Sequence, residues 1–178
     1  ANWIRDAKGN QTDFAYNSSG QVTEITEPAD ASGVRRKTII EYTSGIRRKS
    51  VVRVCGVDTT CGTSQELRTE YEYWGNTSLP SVVRQIDGVA GQTLQTNYTY
   101  DDAGRLLSED RPLAGNTDAS YNQYDVIGRK IMEIGPADVA GNRQAARYTY
   151  RDSDDKVTKV EQGYVTSQTA TALTGTHG

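Results

Sequence analysis

Histidine, phenylalanine and methionine occur once each in these 178 residues, cysteine twice and proline four times. The one histidine, His177, sits in a polar tail, so a Ser-His-Asp or Cys-His arrangement has nothing firm to stand on and acyl transfer is excluded from the expectation. Two cysteines supply only half of a structural zinc site. No apolar run approaches the ~18 residues of a membrane-spanning helix, and no charged-then-apolar leader begins at Ala1. No i, i+3, i+4 stripe persists over a useful length. With hydrophobic residues at 35% and a net charge of −3, the composition argues against an ordinary compact core and gives no general attraction to nucleic acid or an anionic membrane. Neither a cofactor nor a metal is expected. The chain opens in mid-pattern at "ANWIRDAKGNQ", so we expect it to be cut from a longer protein.

What is abundant is tyrosine, at 11, and glycine, at 17, with recurring Thr and Val. Tyrosine suits a half-buried strand face, and the mixture reads as β-rich with many turns. The order is repetitive. In "NYTYDDAGRLLSEDRP" a strand-like alternation ends at Tyr100, a polar cluster begins with Asp101, and Gly104 and Arg105 lead into a second extended run. "SYNQYDVIGRKIMEIGP" places Tyr124, Asp125, Gly128 and Arg129 at the same offsets. Aligned on the aromatic before each turn, the series is Tyr16, Tyr42, Tyr73, Tyr100, Tyr124 and Tyr150, separated by 26, 31, 27, 24 and 26 residues.

This grammar is that of a β-hairpin, because a four-residue connection built on a type I turn ends in a residue at positive φ, which glycine adopts without strain. Gly20 fills that place in the first copy, and Asp154 is expected to fill it in "RYTYRDSDDKVTKVE". Gly9 marks one further turn, making Trp3 to Glu27 a three-stranded meander. The loops "EPADASGV", "DRPLAGNTD" and "GPADVAGN" are expected where one hairpin hands over to the next. Residues 1–163 therefore read as about six hairpin repeats laid side by side, since a lone hairpin is marginal. Residues 164–178, rich in Thr, Ala and Gly, read as a linker or frayed terminus.

Some stretches invite chemistry. Between Val34 and Arg53 lie Arg35, Arg36, Lys37, Arg47, Arg48, Lys49 and Arg53 against one acid, Glu41; a salt-bridged face explains them better than a phosphate groove. Asp152, Asp154 and Asp155 look like a calcium loop but lack its sixth-position glycine, so a turn is expected. Adjacent carboxylates such as Glu109 and Asp110 are expected by chance among 23 acids. Cys55 and Cys61 form either a disulfide, as an exported chain would allow, or two free thiols in a reducing compartment. Trp3, Trp74, Tyr98 and Tyr148, with the spaced tyrosines, suit either a cross-strand packing ladder or a platform for sugar rings. Arg105 and Arg129 suit either a local pair with Asp101 and Asp125 or a charged lining.

"YDDAGRL" and "YDVIGRK", inside a period in the mid-twenties, resemble the YD repeat of RHS-repeat proteins, a family of bacterial RHS proteins, insecticidal toxin-complex components and teneurins. The resemblance runs from about Trp3 to Gln162. It implies an all-β fold of repeated hairpins in a curved or spiralling antiparallel sheet, part of a shell that in bacterial members encloses a C-terminal effector domain. The implied role is architectural and non-catalytic, the implied partner is the rest of the parent polypeptide, and the implied setting is secreted or at the bacterial cell surface. The alternative is an adhesion module that binds glycans. The family's Asp-Pro-containing cleavage segment has no counterpart here.

Overall fold

The computed structural model describes residues 2–176 except 46, 56–60, 63 and 64; His177 lies outside the described residues. The chain is all-β, fourteen strands with no helix among the described residues. It divides into two units, residues 1–95 and 96–178. The first contains β1 (Trp3–Arg5), β2 (Gln11–Tyr16), β3 (Val22–Ala29), β4 (Arg35–Tyr42), β5 (Lys49–Val54), β6 (Leu67–Tyr73) and β7 (Pro80–Asp87). β8 (Gln92–Tyr100) spans the division, and β9 (Leu106–Asp110), β10 (Ser120–Tyr124), β11 (Lys130–Ala137), β12 (Arg143–Arg151), β13 (Lys156–Val165) and β14 (Gly175–Thr176) complete the second. Within each unit strand order is chain order, every described pairing is antiparallel, and the sheet is open.

The six tyrosines that set the sequence alignment mark the same structural event. Each hairpin shifts register in the step immediately before its tyrosine, at Tyr16, Tyr42, Tyr73, Tyr100, Tyr124 and Tyr150. This is the bulge that follows from closing a type I turn with a positive-φ residue. Gly104 and Gly128 hold φ at 80° and 97° in those closing positions. In the last hairpin the closing residue is Asp155, at φ 55°, and not Asp154 as the spacing suggested. The turn there is one residue longer, with the Asp155 amide donating to the Arg151 carbonyl at 2.9 Å, while the Asp154 carboxylate turns back onto Arg151.

Cross-strand partners share a face of a sheet, and the two units use their faces differently. In the first unit one face is a lattice of ion pairs: Asp13 with Arg35 at 2.6 Å, Glu24 with Lys37 at 2.9 Å, Glu41 with Arg53 at 2.9 Å and Glu72 with Arg84. Three of the seven basic residues of the sequence cluster, Arg35, Lys37 and Arg53, are absorbed there. The other face carries the row Phe14, Ile25, Thr38, Val54 and Leu67. That row stays partly open, with Leu67 at 55% exposure.

In the second unit Tyr121, Ile134, Ala145 and Gly163 stand in register across four strands. Met132, Ile134, Ala145 and Val165 form its core, packed from outside by Ala170 and Leu173. Residues 164–176 therefore do not behave as a linker. β13 runs on through Val165, the chain folds back so that the Ala170 carbonyl accepts from Gln123, and Gly175 returns to pair with Tyr164. The small Thr, Ala and Ser side chains that look featureless in sequence let the segment lie flat against the sheet.

Candidate functional site

The residues that carry the repeat signature gather along the turn edge of the hairpins. Three of the six turns that follow an aligned tyrosine open on an Asp or Asn whose side-chain oxygen caps two amides. Asp101 Oδ1 accepts from the Ala103 and Arg105 N–H groups at 3.0 and 2.9 Å, and Asp125 Oδ1 accepts from Ile127 and Arg129 at 3.1 and 2.9 Å. Asn17 does the same with Ser19 and Gln21. The amide of the closing glycine then donates to the carbonyl of the capping residue, Gly104 to Asp101 at 2.8 Å and Gly128 to Asp125 at 3.0 Å. An Asx side chain is what this turn requires, because it imitates a backbone carbonyl one atom further out.

The arginine after the glycine closes the turn and then reaches beyond it. Arg105 Nε donates to Asp101 Oδ2 at 2.6 Å and Arg129 Nε to Asp125 Oδ2 at 2.7 Å. The guanidinium lies over the tyrosine ring of the next hairpin, Arg105 on Tyr124 at 4.9 Å and Arg129 on Tyr150 at 4.8 Å. Arg48 lies on Tyr73 in the same way at 4.5 Å. The tyrosine answers in the opposite direction. Tyr73, Tyr124 and Tyr150 donate their hydroxyls to the carbonyls of Lys49, Leu106 and Lys130, at 2.7, 3.0 and 2.8 Å. Each acceptor is the first residue of the strand that leaves the preceding turn. Tyr42 makes the same bond to Val22 at 2.8 Å. There Gln21 stands where the arginine would be, and it donates instead to the Arg47 carbonyl of the next turn.

Hairpins are thus latched reciprocally: an arginine forward onto a ring, a hydroxyl back onto a carbonyl. Each half is modest, about 0.5–1 kcal/mol for an exposed cation–π contact and about 1 kcal/mol for a neutral hydrogen bond, but both recur along the edge. The charges are tuned accordingly. The Arg105 amide and guanidinium hold Asp101 below the usual carboxylate range. Asp125 is partly desolvated, which pushes its carboxyl up, yet the Arg129 guanidinium and amide outweigh this and leave it lowered. Arg129 is held charged by Asp125 and by Asp152 and Asp155 of the following turn. Those last two aspartates of the calcium-like stretch are therefore occupied by arginine. Burial pushes the hydroxyls of Tyr73, Tyr98 and Tyr100 above their ordinary range. Tyr16, at the first hairpin, is the most open of the aligned tyrosines, at 45% exposure.

A second motif escapes a search centred on tyrosine. "PADASGVR" at 28–35 and "PADVAGNR" at 136–143 share P-A-D-x-x-G-x-R, and both handover loops are the same Asx-capped turn. Asp30 and Asp138 cap the amides two and four residues on. The terminal arginines stitch to carbonyls. Arg35 donates to Glu27 O at 2.9 Å and Gln11 O at 3.0 Å. Arg143, 6% exposed, donates to Ala119 O, Gly135 O and Asn116 O at 2.7, 3.1 and 2.8 Å and lies over Tyr121. Arg143 in this way fixes the loop before β10, the "DRPLAGNTD" handover, from a partner the loop's own sequence does not name. The identical spacing of the two octapeptides is the signal that could have found it.

The aromatic residues considered for a sugar platform are placed variously. Trp3 is half exposed with Arg5 over its ring, and Trp74 is half-buried in its turn. Tyr98 is half-buried on β8. Tyr148 lines an open cleft of ≈ 690 Å³ in the second unit, beside Asn122, Glu133, Gln144 and Gln162. Among the described residues no three His, Cys, Asp or Glu side chains converge as metal ligands, and no helix is long and apolar enough to cross a membrane. Cys55 and Cys61 are joined as a disulfide, with their Cα atoms 4.9 Å apart.

No family model matches the sequence, and no curated protein does. Solved structures do. The crystal structure of TcdB2-TccC3-Cdc42 superposes with a TM-score of 0.68 at 16% identity, over 98% of this chain and 9% of that one. TcdB2-TccC3-TEV follows at 0.66 and 17%, over 91% and 8%, and TcdB2-TccC3 at 0.66 and 16%, over 90% and 9%. The chain thus spans less than a tenth of the length of the chains it matches, and at this identity the likeness is one of fold. That fold is the one the Y-D-x-x-G-R hairpins resemble in sequence: the chain is built as the RHS-repeat chains of the TcdB2-TccC3 toxin complexes are built.

Proposed function

We propose that this chain is a non-catalytic wall segment of a larger RHS-type protein, secreted or displayed at a bacterial cell surface, whose sheet encloses or presents another domain of the same polypeptide. The observation that carries this reading is the reciprocal latch. The tyrosines, aspartates and arginines of the signature are spent on one another, so the repeated chemistry serves continuity of the sheet. The fold shared with TcdB2-TccC3 supports it. Limited proteolysis of the full-length parent, read by mass spectrometry, tests it: a discrete protected fragment beyond the repeats is expected, and free digestion of everything beyond them would overturn enclosure.

A second reading rests on the cleft beside Tyr148. An exposed-edged ring among amide side chains suits stacking and hydrogen bonding to a sugar. Chemical-shift changes confined to Tyr148, Gln144 and Gln162 on titration with oligosaccharides would favour adhesion; a spectrum unmoved at millimolar sugar would remove it.

A further inference from the structure

The two cysteines close a loop next to the most crowded charges of the first unit. Arg53 on β5 and Arg68 on β6 are direct cross-strand partners, and like charges placed directly opposite oppose strand pairing. Glu41 pairs with Arg53 and Glu70 with Arg68, each at 2.9 Å, and a third carboxylate serves both arginines: Glu66, one of only two buried charged residues among those described, at 5% exposure. Its Oε1 faces both guanidiniums, 3.9 Å from Arg53 Nη1 and 3.6 Å from Arg68 Nη1. Its Oε2 accepts the Gly62 amide at 2.8 Å, and its carbonyl accepts the Gly88 amide at 3.0 Å. Gly62 follows Cys61 directly. Cys55, 2% exposed, extends the β4–β5 ladder by donating its amide to the Lys37 carbonyl at 2.9 Å. The S–S bond therefore ties the amide that orients the Glu66 carboxylate to the end of the strand that carries Arg53.

We propose that Cys55–Cys61 is a redox-sensitive clip for the β5–β6 pairing: closed in an oxidising compartment, it holds Glu66 between Arg53 and Arg68, and opened by a thiol reductant it lets that pairing loosen. The chemistry is ordinary thiol–disulfide exchange. A dithiol's thiolate attacks one sulfur and forms a mixed disulfide. Its second thiol then displaces the other cysteine, so the dithiol leaves as its cyclic disulfide and both cysteines end as thiols, having gained two electrons and two protons. Without the clip the Gly62 amide is no longer tethered to Cys55, the Glu66 carboxylate loses a fixed donor, and the facing arginines are less well compensated. The rest of the hairpin edge, held by turns and latches that contain no sulfur, is indifferent to the change.

Hydrogen exchange by mass spectrometry on the whole chain, with and without dithiothreitol, tests this. The expected result is exchange at least tenfold faster across Lys49–Val54 and Leu67–Tyr73 after reduction, with residues 96–176 unchanged. The C55S/C61S double variant should exchange like the reduced protein and ignore dithiothreitol. Oxidised Glu66→Gln should show the same local loosening with its disulfide intact. Equal protection of β5 and β6 in both redox states would overturn the proposal, as would a dithiothreitol response that survives in the double variant, or an intact mass that does not rise on reduction.

Discussion

The first unit and the second obey the same rules at their turns and opposite rules on their faces. In residues 1–95 the sheet devotes one face to ion pairs and leaves the apolar row through Val54 and Leu67 partly open. In residues 96–178 the row through Ile134 and Ala145 is sealed by the folded-back segment that contributes Ala170 and Leu173. The lesson is that the hairpin edge specifies the repeat while the faces are free to vary. Capping oxygens, bulges and latches recur in both units, whereas the means of covering the sheet does not.

The largest effect that would sharpen this contrast is in the sealed core. Ile134→Ala should lower stability by about 2–5 kcal/mol, against less than about 1 kcal/mol for the half-exposed Leu67→Ala. Denaturant unfolding of the two variants measures it, and equal losses would erase the distinction between the units. Next is Arg143→Ala, which strips three carbonyls of their donor and should cost about 2–3 kcal/mol. Arg143→Lys should not restore it, because one ammonium cannot span the Ala119, Gly135 and Asn116 carbonyls as the planar fork does.

Glycine substitutions come third. Gly20→Ala should cost about 1 kcal/mol from positive φ alone, since a Cβ there meets nothing within 4 Å. Gly128→Ala should cost more, because its Cβ would come within 2.5 Å of Arg105 Nη1 and push that arginine off the turn. Thermal melts of the pair check the order. Smallest is the response to acid and salt. The capping carboxylates Asp6, Asp101, Asp125 and Asp138 are all held below their unfolded values. Their contribution is therefore present above about pH 4, the unfolded carboxylate value, and is lost as pH falls through the lowered folded values. Melting temperature should be flat from about pH 8 to 5 and fall below about 4. Added salt should weaken the exposed ion pairs of both units, those of Arg129 with Asp152 and Asp155 among them.

Much of this was legible in the sequence because turns are local. The aligned tyrosines locate all six bulges, and "YDDAGR" and "YDVIGR" announce their own caps. The resemblance to RHS repeats points to the same fold. What stayed hidden depends on contacts far apart in the chain. The reach of Arg129 to Asp152 and Asp155 spans more than twenty residues, and Arg143 finds Asn116 across 27. The segment after Val165 looks like a linker because its small polar side chains carry no periodicity, and only the sheet beneath gives Ala170 and Leu173 their role. Asp155 took the positive-φ place from Asp154 because a turn one residue longer let Arg151 use Asp154 as a partner.

The claim that neighbouring hairpins are coupled through the latch is tested most directly by a double-mutant cycle on Arg105 and Tyr124. Arg105→Met keeps the side-chain stem and removes the cation, and Tyr124→Leu removes the ring and the hydroxyl. A coupling energy of about 0.5–1 kcal/mol between them is expected. Losses that simply add would mean that the arginine and the ring are neighbours without being partners, and that the repeat is held together by its backbone ladder alone.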